Sequence, residues 1–247
     1  MSSSKTNVFD FSNNDTDIPL SFESWDDKCV NLDRKLLRGI YSYGFEKPSP
    51  IQKQAVIPMT LGRDVIAQAQ SGTGKTGAFT VSALQLVDHT KKETQAIILS
   101  PTRELSRQTY DVLCSLSALL KTDIKLLIGG TSTEQDIRDL HDKTPQIIVG
   151  CPGRIHDMAR RKHFDTKTVN LIILDEADEM LSAGFKEQVY NIFQYLKNDV
   201  QIGLFSATMP AELSTLTEKF MREPVKILVK QEMLTLEGIA QFYVGLD

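Results

Sequence analysis

The sequence predicts a doubly wound α/β domain, a mostly parallel sheet with helices on both faces, and three observations predict it. Short apolar runs of strand length recur from Val65 onward and alternate with amphipathic stretches, as where Ala96 to Leu99 is followed by Leu105, Val112, Leu116 and Leu119 at helical spacing. The runs are unbroken rather than alternating, the pattern of parallel strands covered on both faces by crossover helices. Glycines, hydroxyls and charges gather directly after the runs, where open α/β sheets bind ligands, beyond the carboxyl ends of their strands.

Residues 1–20 are rich in Ser, Asn, Asp and Thr around Phe9 and Phe11, too little apolar surface to offset the entropy of ordering, so a flexible tail is expected, with a partner-binding tail as the alternative. Residues 21–60 form a helical lead-in. Two helical patterns, the first ending near Tyr43 and Gly44, flank the segment from Phe45 to Pro50, whose prolines cannot continue a helix. Residues 61–230 carry the strand and helix repeat. Strands are expected at Val65 to Ala67, Ala96 to Leu99, Lys125 to Ile128, Ile147 to Val149, Leu171 to Leu174, Ile202 to Phe205 and Lys226 to Val229.

The chain has 247 residues, 41% hydrophobic and 24% charged, enough for one sizeable core and unlike collagenous, disulfide-dense or wholly disordered chains. With a net charge of −4 there is no global cationic field, so any nucleic-acid contact must be local. Cys29, Cys114 and Cys151 are far apart in sequence and form no CxxC pair, which points to free thiols in a reducing compartment. The amino-terminal residues lack the apolar core of a signal peptide, and no run is long enough to span a bilayer, so a soluble intracellular protein without membrane partners is expected.

Ser71-Gly72-Thr73-Gly74-Lys75-Thr76 follows a strand and opens a helix, the context a phosphate-binding loop requires. The glycines let backbone N–H groups turn toward a polyphosphate, the helix terminus adds its positive end, Lys75 reaches the β and γ phosphates, and Thr76 offers a hydroxyl to magnesium. Ala69 stands where the generic loop has its first glycine, and a plain glycine turn is the bland alternative. An apolar strand runs into Asp175 and Glu176, a costly place for charge without a cation or ligand. Asp175 is placed to hold magnesium largely through water, and Glu176 to orient the water that attacks the γ phosphate; a solvated helix cap is the alternative. Ser206-Ala207-Thr208 offers two hydroxyls after another strand, or simply a turn. Pro101-Thr102-Arg103, Gly129-Gly130 and Pro152-Gly153-Arg154 bring exposed backbone, hydroxyl and arginine to three strand ends, the ingredients for holding a sugar-phosphate backbone without reading bases. The arginines could equally be surface ion-pair partners.

In order and spacing, Gly44-Phe45 to Gln52, Ala69 to Thr76, Pro101 to Leu105, Gly129-Gly130, Pro152-Gly153-Arg154, Asp175 to Asp178 and Ser206 to Thr208 resemble the DEAD-box RNA helicases, from about Ser24 to the carboxyl end. The phrases beginning at Leu174 and Leu234 are close to the branch of that family acting in translation initiation. The resemblance implies a RecA-like P-loop NTPase domain using ATP and Mg2+, with Lys75, Asp175 and Glu176 as catalytic residues and Ser71 to Thr76 around the phosphates. It accounts for Ala69. It implies adenine recognition by Gln52, with Phe45 and an upstream aromatic, Trp25 or else Phe22, packing near the base. RNA is then held, independently of its sequence, by Pro101, Thr102, Arg103, Gly129, Gly130, Pro152, Gly153 and Arg154, and Ser206, Thr208 and Asp178 couple the two sites. Cys151 stands where the family usually has Thr, so a hydroxyl contact to RNA is lost there. Residues 231–247 would begin a linker to a second RecA-like domain that supplies arginine fingers and half of the RNA cleft. Without it the chain is expected to bind nucleotide, hydrolyse it feebly and separate no strands. Further implications are a monomer, initiation scaffold proteins as partners, and a cytoplasmic location; the alternative is an ATP-dependent RNA clamp of the exon-junction type, in the nucleus. A GTPase is disfavoured by Gln52 and by the absence of an Asn-Lys-x-Asp signature.

Overall fold

The structure, a computed structural model, describes residues 21–229. The expected tail and linker lie outside these residues.

The chain enters through α1 (Arg34–Tyr43) and α2 (Pro50–Thr60). Asp33 caps the first by accepting from the amides of Lys35 and Leu36, and the backbone turns left-handed at Gly44 to end it. Pro50 opens the second, where its missing N–H costs nothing. Strands and helices then alternate: β1 (Val65–Gln68), α3 (Lys75–Leu86), β2 (Ala96–Leu99), α4 (Arg103–Leu116), β3 (Ile124–Leu127), α5 (Thr133–Asp142), β4 (Ile147–Gly150), α6 (Pro152–Arg160), β5 (Leu171–Asp175), α7 (Ala177–Met180), α8 (Lys186–Tyr195), β6 (Gln201–Ser206), α9 (Ala211–Phe220) and β7 (Val225–Leu228).

The strands form one sheet in the order β3-β4-β2-β5-β6-β1-β7, and every pairing is parallel. Parallel neighbours need crossovers, and these bury the sheet from both sides. One core joins α1 to α4 to one face through Ile40, Phe79, Leu113 and Ile173. The other joins α5 to α9 to the opposite face through Leu140, Ile155, Ile172 and Leu213.

Buried, unbroken strands hold for the five inner strands but not for the two edges. In β3 only Leu127 is buried, and in β7 Lys226 and Leu228 are exposed around buried Ile227. Each edge strand has one neighbour, β4 or β1, and the lysines there discourage further pairing.

The sheet is anchored beneath β1 by Asp64, 3% exposed. Its carboxylate accepts from the Ile202 amide at 2.8 Å and the Arg222 amide at 2.7 Å, tying the entries of β1, β6 and β7. All seven strands therefore point their carboxyl ends to one rim, and that rim positions the site.

Candidate functional site

The loop after β1 delivers Gly74 as the residue before α3, with φ +98, a conformation other L residues reach only with strain. Space is short there as well, because a Cβ on Gly74 would come within 2.6 Å of the Ser49 hydroxyl and 2.8 Å of the Gln52 amide. Gln52 is 4% exposed; its amide donates to the Gly74 carbonyl at 3.1 Å and its oxygen accepts from the Ser49 amide at 2.8 Å. Phe45 packs against Gly77 in the first turn of α3. The structure thus brings Gln52 and Phe45 onto the loop of Ser71 to Thr76, across more than twenty residues of sequence.

Lys75 is 5% exposed. Its ammonium donates to the Ala69 carbonyl at 2.8 Å and meets the Glu176 carboxylate at 3.2 Å. Ser71 and Gly72 are exposed, Thr73 donates to the Gln70 carbonyl at 2.8 Å, and Thr76 stands half-buried in the first turn of α3. Glu176 has φ +47, uncommon for a residue with a side chain, and this turn aims its carboxylate back at Lys75.

Asp175 closes β5 at 4% exposure, without a cation at ion-pairing distance among the described residues. Burial penalises its charge and the neighbouring Glu176 adds repulsion, while Lys75 opposes both, so its pKa rises to about 7. A carboxylate so placed suits a cation. No three His, Cys, Asp or Glu side chains converge on one point among the described residues, so an ion would complete its shell from water and phosphate, as magnesium does.

Asp178 turns toward the end of β6. Its carboxylate accepts from the Thr208 amide at 2.9 Å and the Thr208 hydroxyl at 2.6 Å, and its own amide donates to the Ser206 hydroxyl at 3.2 Å. Burial pushes the Asp178 carboxyl up, but hydrogen bonds from Thr208 and Ser206 outweigh it and hold the group below the usual range.

Further along the rim, Thr102 caps α4 by accepting from the Leu105 amide at 3.2 Å, beside buried Pro101. The Arg103 guanidinium lies over Gly129 and Gly130; a Cβ on Gly130, whose φ is +84, would meet it at 2.5 Å. Pro152 opens α6, Gly153 has open space around it, and Cys151 is buried with its sulfur 3.6 Å from the Ser106 hydroxyl. Two pockets of about 600 Å3 flank Arg103: one touches Thr102, Cys151, Gly153 and Phe185, the other Tyr43, Arg107, Gln108 and Gly130.

Two of the expected site residues are engaged within the described residues themselves. Trp25 was expected beside adenine, yet it is 1% exposed, with its ring 5.4 Å from that of Phe22, itself 2% exposed. Both rings bury apolar area that a base could only share by displacing core, so neither offers a stacking face. Arg154 was expected to hold RNA. Its side chain is 10% exposed and pairs with Asp136, and it donates to the Thr131 carbonyl at 3.0 Å and hydroxyl at 3.2 Å. Lys125 reaches the same Asp136 carboxylate at 3.1 Å. Arg154 therefore fixes the loop after Gly130 rather than offering a free guanidinium.

Asp136 and Lys125 had no signal in the sequence, because an acid in a first helical turn reads as an ordinary dipole partner. Their meeting depends on the adjacency of β3 and β4. Tyr43 and Arg107 were likewise unmarked, and only the approach of α1 to α4 brings them together.

Comparison with known proteins places this rim in context. A family profile described as DEAD/DEAH box helicase matches residues 49–216. A curated protein of Chaetomium globosum named ATP-dependent RNA helicase eIF4A is 53% identical over 225 residues, which is 91% of this chain and 56% of that protein. A like-named protein of Scheffersomyces stipitis is 53% identical over 88% of this chain and 55% of its own length. This chain thus spans about half the length of the curated relatives it matches. Among solved structures, a DEAD box protein of Methanococcus jannaschii superposes with a TM-score of 0.80 at 38% identity, over 84% of this chain and 56% of that one. Yeast Dbp5 bound to RNA and ADP BeF3 does so with a TM-score of 0.74 at 33% identity, over 86% of this chain and 54% of that one. With the profile covering most of the sequence and the same loops gathered on one rim of the same sheet, the chain belongs to the DEAD/DEAH box helicase family.

Proposed function

We propose that this chain binds ATP with magnesium and holds an RNA backbone, as the nucleotide-binding half of an ATP-dependent RNA helicase acting in translation initiation. The observation that carries this reading is Lys75, a buried ammonium held between the Ala69 carbonyl and Glu176 at the mouth of a glycine loop that Gln52 also touches. An arriving β and γ phosphate pair competes for Lys75, and the Glu176 carboxylate is released to orient the attacking water. Thr76 and Asp175 would hold magnesium, which spreads the charge of the phosphates, and Gln52 would meet the adenine edge beside Phe45.

Asp178, Ser206 and Thr208 link the end of β5 to the end of β6, so movement at Glu176 is passed to the rim. Thr102, Arg103, Gly129, Gly130 and Gly153 offer hydroxyl, guanidinium and exposed backbone without base-reading groups, which supports sequence-independent RNA contact. A second RecA-like domain, initiation scaffold proteins, a monomeric state and a cytoplasmic location complete the reading. No helix among the described residues is long and apolar enough to cross a membrane.

The test is calorimetric titration with ADP, ATP and GDP in magnesium, on the chain and on Lys75→Ala and Gln52→Ala. Adenine-selective binding that both substitutions weaken at least tenfold is expected. Equal affinity for GDP, or indifference to Lys75→Ala, would remove the assignment of the loop.

A further inference from the structure

The pocket on the α1 side of Arg103 lies apart from the nucleotide site and adjoins the rim loops assigned to RNA above, sharing Arg103, Gly129 and Gly130 with them while its remaining walls have no assigned role. Its volume is about 600 Å3, and its walls come from one side of α4, from Gly129 and Gly130, and from Tyr43. It shares Arg103, Glu104 and Gly129 with the pocket that holds Thr102, Cys151 and Gly153. A strand lying in that second pocket and continuing past Arg103 therefore enters this one without crossing a helix.

Two side chains of the pocket are charged and uncommitted. Arg103 and Arg107 are exposed and form no hydrogen bond or ion pair with any described residue, although Glu104 and Asp111 line the same space. This contrasts with Arg154, whose charge is already matched by Asp136. One helical turn separates the two free guanidinia, so they share a face about 6 Å apart along the axis, on the scale of one sugar-phosphate step. Planar guanidinium groups match phosphate oxygens in pairs.

The third element is an aromatic face. Tyr43 is 41% exposed, and its ring is fixed edge-on against Phe45 with centroids 4.8 Å apart. A fixed, exposed tyrosine beside cationic side chains is the platform on which bases of single-stranded nucleic acid stack.

The geometry points to a further RNA subsite in which Arg103 and Arg107 meet successive phosphates and Tyr43 stacks the base between them. The subsite extends the RNA track beyond Gly129 and Gly130 and rests on the reading of those loops as RNA contacts. It also places the bound base against Tyr43, whose other neighbour Phe45 packs on the first turn of α3. An occupant here abuts the segment assigned to adenine.

The test uses a single-stranded RNA decamer carrying 4-thiouridine, irradiated with the whole chain and mapped by mass spectrometry, together with fluorescence anisotropy across a salt series. Crosslinks to Tyr43 or to the turn of α4 around Arg107 are expected. Arg107→Ala is expected to weaken RNA binding about tenfold and to lower the slope of log affinity against log salt by about 0.7, the share of one single-strand phosphate contact. Tyr43→Ala is expected to weaken binding several-fold, with Tyr43→Phe restoring it. Melting curves check that each exposed substitution leaves the fold intact. If Arg103→Glu abolishes RNA binding while Tyr43→Ala and Arg107→Ala change neither affinity nor slope, the subsite is overturned and the pocket is left to a protein segment. If Arg103→Glu is also without effect, the RNA reading of the rim itself fails, and the subsite with it.

Discussion

Between strand end and phosphate loop, the Asp175 carboxyl is held where its own charge is disfavoured, with a pKa of about 7 against an ordinary value of 3.8. For a group whose folded pKa is raised, the folded state keeps its proton through a range in which the unfolded chain has lost it. Stability therefore falls as pH rises from about 4 to about 7 and stays reduced above that. Asp175→Asn removes the penalty. In the nucleotide-free chain it is expected to raise the melting temperature by several degrees at pH 8, with a gain of about 4 kcal/mol at most, and by much less at pH 5. A gain equal at both pH values would show that the charge is not the cause. The same substitution is expected to abolish magnesium-dependent tightening of ATP binding, so the residue trades stability for a cation site. Cys151 is a second local case. It is 9% exposed beside Ser106 in the pocket next to Arg103, and Cys151→Thr supplies a hydroxyl there at nearly constant volume. A net hydrogen bond of about 0.5–1.5 kcal/mol gives a two- to tenfold gain in RNA affinity by anisotropy. An unchanged affinity would mean that RNA does not reach this helix start.

At the level of elements, the contact that organises the rim is the one between α5 and α6. Asp136 on α5 is 4% exposed and takes Arg154 from α6 and Lys125 from β3. Removing one member leaves buried charge uncompensated, which costs about 3–5 kcal/mol, whereas replacing a pair with apolar groups is often neutral. Asp136→Ala is therefore expected to lower the melting temperature by about 6 °C or more and to weaken RNA binding while leaving ADP affinity intact. The double variant Asp136→Leu with Arg154→Met is expected to recover the melting temperature but not the RNA affinity, because Thr131 loses its ties. Full recovery of both would show that the network is structural only. This network also marks where the sequence stops being readable. The strands were legible because burial on both faces demands unbroken apolar runs, and the phosphate loop was legible because its chemistry is contiguous from Ser71 to Thr76. Arg154 looked like an RNA ligand because nothing local announces Asp136, eighteen residues earlier and on another helix. Trp25 looked like a stacking partner because an aromatic near Phe45 in sequence does not reveal which side of the core it fills. Edge strands β3 and β7 departed from the buried pattern for a reason that only the strand order supplies.

For the whole molecule, the two cores clamp one sheet so that the glycine loop before α3 and the loops of Arg103, Gly129 and Gly153 lie along the same carboxyl edge, with Asp178, Ser206 and Thr208 hydrogen-bonded between the ends of β5 and β6. That edge is open. Lys75 is the only cation at ion-pairing distance of Glu176 among the described residues, and none reaches Asp175. Phosphoryl transfer spreads negative charge over three oxygens of the transferred group, and arginine contributed from outside a P-loop is worth about 10³ or more in rate. On the proposed reading one lysine positions ATP, while no second cation among the described residues stands at ion-pairing distance of Asp175 or Glu176 to meet the transition state. The 247-residue chain is accordingly expected to bind ATP and ADP with similar affinity, to release phosphate at a rate that saturating RNA leaves unchanged, and to separate no strands of a short duplex. Joining it to a second RecA-like domain with arginines facing Glu176 is expected to raise phosphate release by about a thousandfold or more and to make it RNA-dependent. Steady-state phosphate assays with and without RNA, paired with a strand-displacement assay, decide the matter. RNA-stimulated turnover or strand separation by the chain alone would mean that the open edge already holds what hydrolysis needs, and that Lys75, Asp175 and Glu176 act without help from beyond the sheet.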